Sequence, residues 1–267
     1  MKHVTMKCLV VMSVALLLFA ASAHAVTSSP ERVVTVDTAA EETPLPASAP
    51  ATLLRQMSEE LNNAGAYRFH AEINFDEVLI SGQKVQFAGA ADVRVRHPDG
   101  IFIDYRDDLS AKRFWYDGKT GTLLDVFQDV YSTADLPGGI DAAIDQLQER
   151  YGLPLPLGDL ISSDVFAVMD DRALAWGYIG VHDVEGTPAH HIAIVGENAD
   201  LQVWIQEEGR PVPLKIVVTY KNVPMAPQYQ AVLMDWEFGA DVAADSFEPD
   251  LPEGAQKAEF LVVEGSK

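Results

Sequence analysis

The stretch Tyr67-Arg68-Phe69-His70-Ala71-Glu72-Ile73-Asn74-Phe75-Asp76 decides the fold. Its odd positions are apolar and its even positions are polar or charged. Side chains of an extended chain point alternately to opposite faces, so the segment reads as a strand with one buried and one wet face. A turn at Ser81-Gly82 follows. The alternation then resumes, with Val85, Phe87, Gly89, Ala91, Val93 and Val95 set against Gln86, Asp92, Arg94 and Arg96. Gly89 and its flanking alanines leave room on the sheet, at a bend or beneath an approaching group. Long one-sided strands joined by short turns pair as an antiparallel meander.

The same reading extends outward. Pro98-Asp99-Gly100 is a turn signal, and a strand over 101–106 follows it. Segments 112–116 and 122–130 flank Asp117-Gly118-Lys119-Thr120-Gly121, which reads as a hairpin loop. Ile140, Ile144, Leu147 and Tyr151 share a helical face that Gly152 and Pro154 end, and a second short helix is expected within 160–169. Strands resume over 173–178, 180–184, 190–195, 200–206, 214–220 and 230–238. The tail 247–260, with Pro249 and Pro252, is expected to pack against one end of the sheet. Ahead of the first strand, Leu53, Leu54, Met57 and Leu61 form one face of a helix that Gly65 stops. The order is helix, five strands, one or two helices, then five or six strands. It predicts an α+β fold with the helices gathered on one face. A sheet of about ten or eleven long twisted strands curls, splits or partly closes. With helices on its concave face it becomes a half-barrel around an apolar hollow.

The N-terminus reads differently. Lys2 and Lys7 precede a run from Leu9 to Ala21 that is apolar apart from Ser13, and Ala23-His24-Ala25 is a small-x-small cleavage pattern. The run is shorter than the roughly 20 residues that span a bilayer. Residues 1–25 therefore read as a signal peptide, giving a periplasmic chain with no direct membrane insertion after cleavage. The single cysteine, Cys8, falls inside that segment, so the mature chain is expected to hold no disulfide and no thiolate metal site, which suits a bacterial periplasm. Residues 26–50, rich in Pro, Ala, Ser, Thr and Glu, read as a disordered lead, and 51–267 as a single half-barrel domain. The chain carries 19 Lys+Arg against 40 Asp+Glu, net −21, and loss of Lys2 and Lys7 takes the mature chain to about −23. Such acidity excludes nucleic acid as a partner and disfavours unaided binding to anionic headgroups. It suits solubility or a cationic partner.

The pattern His182-Asp183-Val184-Glu185-Gly186, His190-His191-Ile192, Val203-Trp204-Ile205, Gly209-Arg210-Pro211-Val212-Pro213-Leu214-Lys215 continues with Trp236, Phe247 and Pro252-Glu253-Gly254-Ala255. It resembles a family of predicted periplasmic proteins defined as a domain of unknown function. More distantly it is similar to the lipoprotein carriers of the outer-membrane sorting system (the LolA/LolB-like superfamily). The resemblance spans residues 53–261. It implies a half-barrel with a helical lid and an apolar cavity for acyl chains, with a lipid or an acylated protein as partner and no defined cargo. Those carriers hold the lid with an arginine inside the hollow. Arg94 and Arg96 lie on the polar face of their strand, so neither inherits that role, and the strong acidity is a further difference.

The candidate lining of the hollow is Phe69, Ile73, Phe87, Val93, Val95, Ile103, Trp115, Trp204, Ile216 and Trp236. Aromatic side chains of this kind, with Phe75, Phe102 and Trp176, either line a pocket or fill a core. Trp204 faces away from Val203 and Ile205, toward a helix or an apolar outer surface. His182, His190 and His191 are the candidate metal ligands. Neighbours in a strand point to opposite faces, so His182 and His190 are the pair expected to meet across a hairpin, near Asp183 or Glu185. A zinc site needs three or four converging ligands, and the expectation is hydrogen-bonded or solvated histidines without a metal or any other cofactor. Asp107-Asp108 and Asp170-Asp171 read as solvated loop acids. Ser162-Ser163-Asp164 reads as a helix N-cap and Gly118-Lys119-Thr120 as part of a turn. No nucleophile elbow or His-Glu-x-x-His motif occurs, so no catalytic residue is expected. The expected function is non-catalytic binding or carriage of a lipid, acyl chain or lipoprotein. The alternatives are an envelope interaction or sensor protein using its acidic surface, and a metal-dependent hydrolase built around His182 and His190.

Overall fold

The computed structural model describes residues 49–153, 155, 157–239 and 247–262. The signal-peptide expectation and nearly all of the lead lie outside the described residues. Helix α1 (Ala49–Asn63) precedes β1 (Ala66–Val78), β2 (Lys84–Arg96), β3 (Gly100–Asp107), β4 (Ala111–Tyr116), β5 (Thr120–Asp125) and β6 (Val130–Asp135). Helices α2 (Gly139–Tyr151), α3 (Gly158–Ile161) and α4 (Val165–Arg172) follow. Then come β7 (Ala173–Val184), β8 (Thr187–Gly196), β9 (Ala199–Gln206), β10 (Pro213–Tyr220), β11 (Gln228–Phe238) and the short β12 (Gln256–Lys257).

The strands form one curved, unclosed sheet of twelve in the order β12-β6-β5-β4-β3-β2-β1-β11-β10-β9-β8-β7. Each half of the chain is a meander, and the halves join where β1 pairs with β11, Ala71 opposite Leu233 and Phe75 opposite Tyr229. Three strand assignments differ from the sequence reading. Residues 122–130 are not one strand but the end of β5, a turn, and the first residue of β6. The Asp125 carboxylate accepts hydrogen bonds from the Phe127 and Gln128 amides, and Asp129 takes a left-handed φ of 51°. That local turn chemistry is hidden inside an apolar run. Conversely, 173–184 is a single strand. Its pairing to β8 slips between Tyr178 and Gly180, where Gly180 at φ 141° takes up an extra residue. The third difference is β12, a short strand that pairs with β6 in parallel where the sequence reading expects only a tail packed against one end of the sheet.

The helices cover the concave face. Leu54, Met57 and Leu61 of α1, Ile140, Ala143 and Leu147 of α2, and Val165 and Met169 of α4 join one hydrophobic core with the inward side chains of β1 to β4. Asp164 caps α4 by accepting from the Ala167 amide at 2.9 Å, and it also accepts from the Ser58 hydroxyl at 3.2 Å. The capping side chain thus ties α4 to α1. Gly152 ends α2 in a left-handed conformation, as its position after Tyr151 predicts. The C-terminal segment straps the sheet. Phe247 lies buried on the convex face against Gly100 and beneath the Arg96 guanidinium at 4.5 Å. β12 then borders β6, and the Phe260 ring reaches Tyr151 of α2 at 5.0 Å.

Candidate functional site on the concave face

Because the pairing is antiparallel, alternate turns lie at the same end of the sheet. The turns at 79–83, 108–110, 126–129, 197–198 and 221–227 form one end, termed here the loop end. The turns after β2, β4, β7 and β9 form the other, the base. The two ends of the concave face differ.

At the base the face is packed with aromatic rings, Tyr67 and Phe69 buried and Trp236 and Phe238 half-buried. The Phe69 ring stacks on Trp236 at 4.5 Å, and Tyr67 contacts Trp236 at 5.8 Å, Phe238 at 6.1 Å and the His97 ring at 5.8 Å. Trp236 points inward because β11 bulges opposite Arg68–His70, with Asp235 at φ 55°. Its indole donates to the Pro213 carbonyl at 3.2 Å. The Tyr67 hydroxyl reaches the Leu160 carbonyl of α3 at 3.5 Å, which fastens the helical layer to the sheet.

Toward the loop end burial falls away. Ile73, Val93, Ile103, Val203, Ile216 and Ala231 are buried, as are Phe75, Ala91 and Tyr105 one inward step further on β1, β2 and β3, but Gly89 and Phe87 of β2, Leu201 of β9, Val218 of β10 and Tyr229 of β11 are only half-buried. Register places these on adjoining strands: Phe75 lies between Phe87 and Tyr229, Tyr229 opposite Val218, and Val218 opposite Leu201. The result is an apolar, partly exposed patch across five strands. Around it the turns carry exposed Leu79, Ile80, Leu109, Phe127 and Met225, and Leu174 opens β7 at the same end. Exposed apolar side chains gathered on one end of a molecule are a signature of contact with something apolar.

Polar groups on the inner face are mostly matched. Lys112 and Asp125, cross-strand neighbours on β4 and β5, form a buried ion pair. The Tyr105 hydroxyl donates to Asp107 at 2.7 Å, and burial pushes its phenol well above the ordinary range. The Tyr229 hydroxyl is buried without a partner among the described residues.

The structure divides the candidate lining. Phe69, Ile73, Phe87, Val93, Val95, Ile103, Ile216 and Trp236 face inward. Trp115 and Trp204 do not, and their place in a shared hollow is corrected. Trp115 lies between the inward Phe114 and Tyr116, so it points outward beside Phe102 at 5.7 Å. Trp204 stacks outward on His191 at 3.9 Å, with the Lys215 ammonium 5.0 Å above its ring. The histidine pairing is corrected as well. The two-residue turn Glu185-Gly186 sets Val184 opposite Thr187 and places His182 on the face of His191, their Nδ1 atoms 3.2 Å apart. His190 is on the inner face and meets the Tyr178 hydroxyl at 3.0 Å. No group of three or more His, Cys, Asp or Glu side chains converges among the described residues. Burial, chiefly, lowers the His191 pKa, and it lowers that of His97, whose ring nitrogens both lack hydrogen-bond partners among the described residues. Tyr229, Val218 and Leu201 escaped the sequence reading. Their alternation marked them as inward, but no local signal tells which inward positions the helices leave uncovered.

A curled, unclosed antiparallel sheet with helices laid in its concave face defines the class of the molecule. Residues 51–261 match the family described as predicted periplasmic protein (DUF2092), and the chain belongs to that family. No curated protein matches the sequence. Among solved structures the chain is similar to an uncharacterised conserved protein from Thermus thermophilus, at 7% identity over 79% of this chain and 99% of that one, with a TM-score of 0.49. It is also similar to the Mycobacterium tuberculosis lipoprotein LppX, at 14% identity over 74% of this chain and 100% of that one, TM-score 0.44. A LolA superfamily protein from Nitrosomonas europaea matches at 8% identity over 75% of this chain and 98% of that one, TM-score 0.38.

Proposed function

We propose that this protein is a periplasmic binder of an apolar chain, a lipid or the acyl group of a lipoprotein, that holds its ligand at the loop end of the concave face and has no catalytic role. The observation that carries the reading is the graded burial of the inner face. Tyr67, Phe69, Val95 and Ile101 are buried at the base, with Trp236 half-buried against them, whereas at the loop end Phe87, Leu201, Val218 and Tyr229, around the buried Phe75, form an apolar patch that the helices leave half-covered. Covering apolar surface releases about 25 cal/mol per Å². An acyl chain laid across these strands therefore binds without catalytic groups. The exposed Leu79, Ile80, Leu109, Phe127 and Met225 ring the same end and offer the chain a path from an apolar donor. The signal-like segment at residues 1–25 and the description of the family support the periplasm as the compartment.

Native mass spectrometry of protein prepared from periplasm without detergent tests the reading. A discrete added mass matching a lipid or acyl chain is expected, lost on organic extraction. Bare protein from several growth conditions, together with failure to take up added lipid, argues decisively against it.

A further inference from the structure

Three inner-face tyrosines, Tyr67, Tyr105 and Tyr116, find hydrogen-bond partners. Tyr67 donates to the Leu160 carbonyl, Tyr116 to the Leu136 carbonyl at 2.9 Å, and Tyr105 to Asp107. Tyr229, on β11 between Phe75 and Val218, is half-buried, and its hydroxyl is out of solvent and without a partner among the described residues. An unmatched buried hydroxyl is costly, and phenylalanine would fill the same space without that cost. The buried inner-face ammonium of Lys112 is already paired with Asp125. The hydroxyl is thus a neutral O–H donor set beside Phe75 and Val218, with the Tyr105 and Tyr220 phenols as its polar neighbours. Burial holds the phenol in its protonated form.

We infer that the Tyr229 hydroxyl anchors the ligand's head by donating to an acyl carbonyl oxygen, so that the ligand is an acyl amphiphile rather than a plain hydrocarbon. This rests on the binding function proposed above. A neutral donor suits the carbonyl of an ester or of a protonated fatty acid better than a carboxylate, which would call for a cation. The ring stays beside Phe75 and Val218 to meet the first methylenes, and the tail lies along Phe87 and Leu201.

The test compares wild type with Tyr229→Phe. Three probes are titrated: N-phenyl-1-naphthylamine, which is apolar and has no carbonyl, then monopalmitoylglycerol and palmitate. Tyr229→Phe is expected to weaken monopalmitoylglycerol roughly three- to tenfold, the value of one hydrogen bond, and to leave the naphthylamine unchanged. A loss for the ester but not for palmitate assigns the site to esters, and a loss for both assigns it to acyl carbonyls in general. Either outcome supports the anchor. Unchanged affinity for both, or an equal loss for all three probes, overturns the anchor while leaving the binding function standing. Wild type that binds none of the three overturns the binding function itself. The melting temperature of Tyr229→Phe should equal or exceed that of wild type. A clear fall would overturn the anchor, because the hydroxyl would then serve the fold.

Discussion

Phe69 and Phe87 are both inward phenylalanines on neighbouring strands, and their truncation should cost very different amounts. Phe69 is 3% exposed and stacks on Trp236 at 4.5 Å, with the Tyr67 ring at 6.4 Å. Phe69→Ala removes a fully buried ring and leaves a closed void, at a cost of about 3–5 kcal/mol. For a domain of this size that lowers the melting temperature by roughly 6–20 °C. Phe87 is half-buried and contacts Phe75 at 5.7 Å. Its removal forfeits part of the transfer term and opens no closed void, so Phe87→Ala should cost about 1–2 kcal/mol. Urea unfolding monitored by tryptophan fluorescence measures both, provided the slope stays constant. Equal losses at the two positions would refute the reasoning, because the loop end would then be packed as solidly as the base.

Other consequences are equally direct. Lys112→Met strands the buried Asp125 carboxylate and should cost about 3–5 kcal/mol by chemical denaturation; a loss below about 1 kcal/mol would mean that water reaches the pair. A β-carbon at Gly100 would meet the Phe247 ring at 3.0 Å, so Gly100→Val should displace the strap and speed tryptic cleavage after Lys257, whereas an unchanged rate would show the strap anchored elsewhere. Burial depresses the pKa of His97 below 6.5, so the neutral ring is the folded form. The unfolded chain binds the proton more tightly, and this contribution to stability is complete above pH about 6.5 and falls as pH drops through the folded pKa. His70 has the opposite sign. Its pKa is raised, chiefly by the hydrogen bond to Asp92, and its contribution is complete below about 6.5 and lost as pH rises through the folded value. Proton NMR titration should place the two imidazoles on opposite sides of 6.5, and coincident midpoints would show that neither environment persists in solution.

Strand alternation made most of the sheet legible in the sequence. The inward side of 67–75 and 85–95 follows from period alone, and the outward phase of Trp204 was visible between Val203 and Ile205. Placing that tryptophan in the hollow nonetheless ignored the phase. The β5–β6 turn was hidden because Asp125 makes it through its own carboxylate within an apolar run, without Gly or Pro. The meeting of His182 with His191 depended on hairpin register, which the length of the Glu185-Gly186 turn sets and composition does not. The half-covered patch was least legible. Which inward residues stay open depends on where α1 to α4 come to rest, a property of long-range contacts such as Ser58 with Asp164 and Tyr67 with Leu160.

Methyl NMR of the labelled protein during titration with palmitate reports most directly on whether the loop end receives an apolar chain. Shifts that saturate at one equivalent should appear at Val85, Leu201 and Val218, while Val95 and Ile101, buried at the base, stay fixed. Spectra unmoved by excess ligand, or shifts confined to the convex face, would leave the proposed site without an occupant.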